Sequence, residues 1–214
     1  MKKIKNSLIL LLVILIVPVF VMGCKPKVGA DESAKALFNF VIKGQKDGLS
    51  KMGAQQKQLK KLAKTQKDQY MQQLKAGFTS QGLTINNKQV ENIYNSIMVA
   101  FGKVSVTTNK VSEKDKTAQV KVKTTYFDLA ALSTGAANKA VQKYKGTKIT
   151  DRKVLMEKLS KEFINNLVSD LKKVKPSNNK KEETFKFVIE DNVWVPADEK
   201  GYGEDIMKLV SGQQ

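Results

Sequence analysis

Apolar residues recur at helical spacing through much of the chain. Ala34, Leu37, Phe38, Val41 and Ile42 follow the three-to-four-residue period of an amphipathic helix. Asp31 and Ser33 stand before them as capping candidates, and Gly44 and Asp47-Gly48 mark the stop. Residues 49–82 are rich in Gln and Lys, with Leu59, Leu62, Tyr70, Leu74 and Phe78 as apolar points, and predict one or two helices. Val90, Ile93, Tyr94, Ile97, Met98 and Phe101 trace a cleaner stripe, capped by Asn86 or Asn87 and stopped at Gly102. Asp128 opens an alanine-rich helical segment over residues 129–144, which Gly146 closes. Thr150 and Asp151 start the longest stripe: Leu155, Leu159, Phe163, Ile164, Leu167, Val168, Leu171 and Val174. Lys158, Lys161, Lys172 and Lys173 fall on its other side. Pro176 ends it, because the residue before proline avoids the helical region.

The period drops to two in two places. Val104, Val106 and Thr108 alternate with polar neighbours; after the polar stretch 112–116, Ala118, Val120, Val122, Thr124 and Tyr126 do the same. Phe185, Phe187 and Ile189 alternate within residues 184–190, following a loop at 177–180. Asp191-Asn192 is a tight-turn signal, Val193-Trp194-Val195 pairs back, and Pro196 ends the strand. Gly201 to Gly203 is expected to loosen the chain before a last amphipathic stretch with Ile206, Met207 and Val210. The prediction is an α+β fold: amphipathic helices packed on one face of an antiparallel sheet built from two hairpins.

Residues 1–23 have a different character. Lys2, Lys3 and Lys5 precede an apolar run over residues 8–21, bent at Pro18, and small Gly23 comes before the one cysteine of the chain. This layout is that of a secretory signal. Val21-Met22-Gly23-Cys24 resembles the bacterial lipobox, which implies lipidation of the Cys24 thiol and cleavage just before it. Two alternatives stand: an uncleaved spanning helix, for which the run is slightly short of about 20 residues, and an ordinary signal with a chance cysteine. On the lipobox reading, residues 1–23 are removed, 24–30 form a lipidated tether containing Pro26 and Gly29, and 31–214 form one domain. The partner is then the membrane, through Cys24, at the extracytoplasmic face of a bacterial cell.

Composition narrows the function. The formal net charge is +18, and without the three leader lysines it is +15. Arg152 is the sole arginine, so the charge lacks the planar guanidinium forks that contact phosphate and base edges. Nucleic acid is therefore not an expected partner. Anionic lipid headgroups and wall polymers fit the charge better, and an ordinary solvated lysine surface from an AT-rich coding composition fits it better still. Lys57, Lys60, Lys61 and Lys64 form one such face. Histidine is absent, which removes the commonest general base and metal ligand. With Cys24 lipidated, no thiol remains as a nucleophile, and no internal disulfide is available. Stability must come from a core, and 41% hydrophobic residues supply one.

Motifs for chemistry are sparse. Gly201 to Gly203 lacks the strand and third glycine of a phosphate-binding loop. Glu182-Glu183 and Glu190-Asp191 are adjacent acids whose side chains point to opposite faces of a strand. No cofactor, no metal and no enzyme activity are expected; only carboxylate or lysine catalysis stays open. Trp194, with Phe185 and Phe187, either lines a concave sheet face that holds a ligand or belongs to the core.

The lipobox start, the segment Asp31-Glu32-Ser33-Ala34-Lys35-Ala36-Leu37-Phe38, the following Lys43-Gly44-Gln45-Lys46-Asp47-Gly48 and the closing Asp191-Asn192-Val193-Trp194-Val195-Pro196 resemble small Gram-positive lipoproteins that carry an uncharacterised domain. The resemblance implies a cystatin-like or nuclear-transport-factor-like cone, in which a sheet wraps a long helix; the helices between the two hairpins depart from that pattern. The expected function is a binding or interaction module for a protein partner or ligand. The alternative is a structural surface protein held by its lysines on anionic wall polymers or headgroups.

Overall fold

The computed structural model describes residues 25–213. Helices come first: α1 (Ala30–Lys43), α2 (Asp47–Met52), α3 (Gln56–Ser80) and α4 (Asn87–Phe101). The hairpin β1 (Val106–Lys114) and β2 (Thr117–Thr125) follows, then α5 (Leu129–Tyr144) and α6 (Arg152–Lys173). The second hairpin, β3 (Lys180–Glu190) and β4 (Val193–Pro196), leads into α7 (Glu199–Ser211). The fold is α+β, as the periodicity predicts, with the strands in one antiparallel sheet of order β1-β2-β3-β4.

Short polar side chains set most helix starts. Asn86 Oδ1 accepts from the Gln89 amide at 2.9 Å while Gln89 Oε1 accepts from the Asn86 amide, a reciprocal box that satisfies two orphan donors of α4. Asp128 caps α5 through the Ala131 amide, and Asp151 caps α6 through the Lys153 and Val154 amides. At α1 the expectation fails. The helix begins at Ala30 behind Gly29, so Asp31 lies inside its first turn, where its charge suits the helix dipole. Ser33 is fully buried, and its Oγ has no partner among the described residues. Ala30 is itself buried and Val28 packs on the core, so the lead-in that runs free of the fold is shorter than residues 24–30 suggest.

Register gives the sheet two unlike faces. Val120 lies opposite Phe185 and Ala118 opposite Phe187, all buried. On the other face, Glu182 takes both Lys121 and Lys123 at 3.0 and 3.1 Å. The central pairing runs without a break from Thr117↔Val188 to Thr125↔Lys180, although α5 and α6 lie between the two strands in sequence. The first hairpin is tighter than its sequence implies. Residues 112–114 remain in β1 beyond a bulge at Val111, leaving Asp115, with positive φ, at the turn. Lys180, read as loop, is the first residue of β3. Asp191 and Asn192 have φ of 48° and 61°, the left-handed pair that a two-residue hairpin turn demands.

Helix α1 lies against β1, β2 and β4 and also touches α2 and α4. Helix α7 packs on β2, β3 and β4. Gly201 and Gly203 do not loosen the chain; both sit inside α7. Asp198 Oδ1 accepts from the Gly201 amide at 2.9 Å, and a Cβ on Gly201 would collide with that same carboxylate, so glycine here accommodates a cap. Helices α3, α4 and α6 continue the same core: α3 packs on α4 and α4 on α6, with Phe78 and Phe163 edge-to-face at 6.1 Å. Helix α5 closes against α6, tied by Lys139–Asp170 and Lys143–Glu162.

Candidate functional site

The aromatic candidates of the second hairpin are core. Trp194 is 4% exposed, and Phe187 is fully covered. Phe185 and Phe187 hold the Tyr202 ring edge-to-face at 4.8 and 5.7 Å. The Tyr202 hydroxyl donates to the Ala34 carbonyl at 3.0 Å, and burial pushes its pKa far above the ordinary value. It is a neutral structural donor.

A cleft that the sequence did not single out lies between α1, α3 and α4, lined by Phe40, Val41, Gly44, Gln66, Tyr70, Tyr94 and Met98. Tyr70 and Tyr94 meet edge-to-face at 5.5 Å. Lys67 Nζ sits 5.5 Å from the Tyr94 ring centre and pairs with Glu91 at 3.0 Å. Burial and then the neighbouring Tyr94 raise the Tyr70 pKa, and Tyr70 makes no hydrogen bond among the described residues. Burial also raises Tyr94, with Lys67 opposing it. Both phenols therefore stay protonated at neutral pH and offer hydrogen bonds, not proton transfer. The space is about 20 Å³, room for about one water, far below the several hundred Å³ of an organic-ligand pocket. The only sequence signal for this cleft was that Tyr70 and Tyr94 fell on apolar stripes, where a hydroxyl is out of place.

The lysine face of α3 is present as expected. Lys57, Lys60, Lys61 and Lys64 are exposed and have no ion-pair or hydrogen-bond partner among the described residues. Elsewhere lysines are used locally: Lys181, reaching in from β3, donates to the Gly212 and Gln213 carbonyls and lies over the Tyr126 ring, closing the C-terminal end of α7. Val21, Met22, Gly23 and Cys24 lie outside the described residues. Among the described residues no helix is long and apolar enough to cross a membrane.

These features define an α+β body with a helix-lined inner sheet face and a polar outer one. Its fold is similar to that of ycdA from Bacillus subtilis subsp. subtilis strain 168, whose crystal structure is described as that of a candidate lipoprotein, with a TM-score of 0.62. The two share 18% sequence identity over 85% of this chain and 56% of the other, so this chain spans little more than half of that protein's length. At that identity the likeness is one of fold. No protein-family model and no curated protein matches the sequence.

Proposed function

We propose that the chain is a membrane-anchored extracytoplasmic lipoprotein whose folded body is a non-enzymatic binding or interaction module. The observation that carries this reading is the Val21-Met22-Gly23-Cys24 signal, whose cysteine stands four residues before Val28, where the chain enters its core. The fold likeness to a protein described as a candidate lipoprotein supports it. Absence of histidine from the whole chain supports a role in binding over catalysis. The finer likeness to a cystatin-like or nuclear-transport-factor-like cone draws support from α1 lying across β1, β2 and β4 of a single meander.

Mass spectrometry of the Cys24 peptide from native membranes tests the anchor: a diacylglycerol adduct is expected, and Cys24→Ala is expected to lose both adduct and mature processing. An unmodified, uncleaved chain retained in the membrane would establish the spanning-helix alternative. Crosslinking in the same membranes tests the module, with one enriched protein as the expected result. The second reading, a structural protein held on anionic wall polymer, draws on the unpaired lysines of α3. It requires wall binding that collapses across about 0.1 to 0.5 M salt.

A further inference from the structure

We infer that the N-terminal half of α3 is a membrane-contact surface, in which Lys57, Lys60, Lys61 and Lys64 rest on anionic lipid headgroups as a second attachment beside the lipid at Cys24. The inference rests on the lipoprotein reading and adds the orientation of the body on the bilayer.

Three observations converge. The first is where the anchor must lie. A Cβ on Gly53 would sit 3.4 Å from Lys27 Nζ, so the Lys27 side chain reaches the junction between α2 and α3 and ties the lead-in to it. Cys24 is three residues from Lys27, a reach of at most about 10 Å. Because Val28 and Ala30 are already packed, no slack follows to lift the body away.

The second is the arrangement of charge. Lys57, Lys60, Lys61 and Lys64 fall within about 100° of arc around the α3 axis and span about 10 Å along it. Leu59, Leu62 and Ala63, which pack on the core, lie on the opposite side. Residues 48–67 contain six lysines and no acid. Exposed Lys25, Lys27 and Lys51 extend the same field around the exit point of the chain.

The third is range. Attraction to an anionic leaflet fades within a Debye length, about 8 Å at physiological salt. Only lysines held at the anchor feel it. Helix α3 starts at the anchor and carries its other end, at Phe78, to α6, roughly 35 Å away. Lysines there, such as Lys158 and Lys161 beside Phe163, face bulk solvent.

The test uses the full acylated protein in vesicles of phosphatidylcholine alone or with phosphatidylglycerol added, and a water-soluble amine-labelling reagent read out by mass spectrometry. Labelling of Lys57, Lys60, Lys61 and Lys64 is expected to fall several-fold in the phosphatidylglycerol vesicles and to recover at about 0.5 M salt, while Lys158 and Lys161 label equally in both. Equal labelling of the four lysines in both vesicles, with lipid confirmed on Cys24, overturns the inference and leaves the proposed function standing. Protection by soluble wall polymer but not by vesicles overturns it in favour of the wall. A Cys24 without lipid overturns the proposed function and, with the anchor gone, this inference too.

Discussion

The hydroxyl of Tyr202 donates to the carbonyl of Ala34 at 3.0 Å, tying α7 to α1 inside the core. Tyr202→Phe removes only that donor and keeps the ring between Phe185 and Phe187. A loss of about 1 kcal/mol is expected. Tyr70→Phe removes a hydroxyl that has no hydrogen-bond partner among the described residues and is expected to be close to neutral. Urea unfolding of the two variants checks the contrast.

Both tyrosines also make stability depend on pH at the alkaline end. Their pKa values in the folded state are raised above the ordinary 10.0, so the folded chain holds protons that the unfolded chain releases. The contribution is fully present below about pH 10 and falls as pH rises beyond it, by about 1.4 kcal/mol per pH unit for each tyrosine. Lysine deprotonation changes the background in the same range, so the informative quantity is the slope difference. Tyr70→Phe and Tyr202→Phe should each flatten the decline above pH 10 by one such share.

Trp194 reports its own location, because it is the one tryptophan of the chain. Emission at short wavelength and resistance to iodide quenching are expected in the folded state, with a red shift only on unfolding. Trp194→Ala is expected to cost about 3–5 kcal/mol through the cavity it leaves. Strong iodide quenching of folded protein would place the ring at a solvent-accessible surface instead.

Two glycines in helices should answer alanine with opposite signs. A Cβ at Gly48 would approach Ala36 Cβ to 2.6 Å and its Cα to 2.9 Å, so α1 and α2 would have to separate. Gly48→Ala is expected to destabilise by about 1–3 kcal/mol. Gly77 in α3 has nothing within 4 Å of the same position. There alanine is expected to stabilise by about 0.5–1 kcal/mol through helix propensity alone. Thermal unfolding of both variants decides the matter.

What could be read from sequence was local. Asn86, Asp128 and Asp151 announce their helices because a short polar side chain can satisfy the first free amides by itself. Asp191-Asn192 announces its turn because few other residues accept positive φ there. Phe185 and Phe187 alternate because one sheet face is buried. The misreadings share a cause, tertiary packing that outweighs a residue's own preference. Gly201 and Gly203 look like a break until Asp198 caps the turn they occupy. Ser33 looks like a cap until the core claims it. The cleft at Tyr70 needs α1, α3 and α4 together, and no spacing along one helix reveals it. The continuous β2–β3 ladder was equally invisible, since strand partners so far apart carry no sequence signal of each other.

That ladder has a consequence for how the chain folds. Thr125 and Lys180 must meet across everything that lies between them. Closing so long a loop carries an entropic cost that grows with its length, and such non-local pairings slow folding. Helices α5 and α6 form from near neighbours and fold back on each other, with Lys143–Glu162 and Lys139–Asp170 along the seam. Once that helical hairpin exists, the gap left to close is a short one. The excursion is then expected to act as a staple that shortens the loop the β2–β3 ladder must close, so loosening the α5–α6 seam should slow folding.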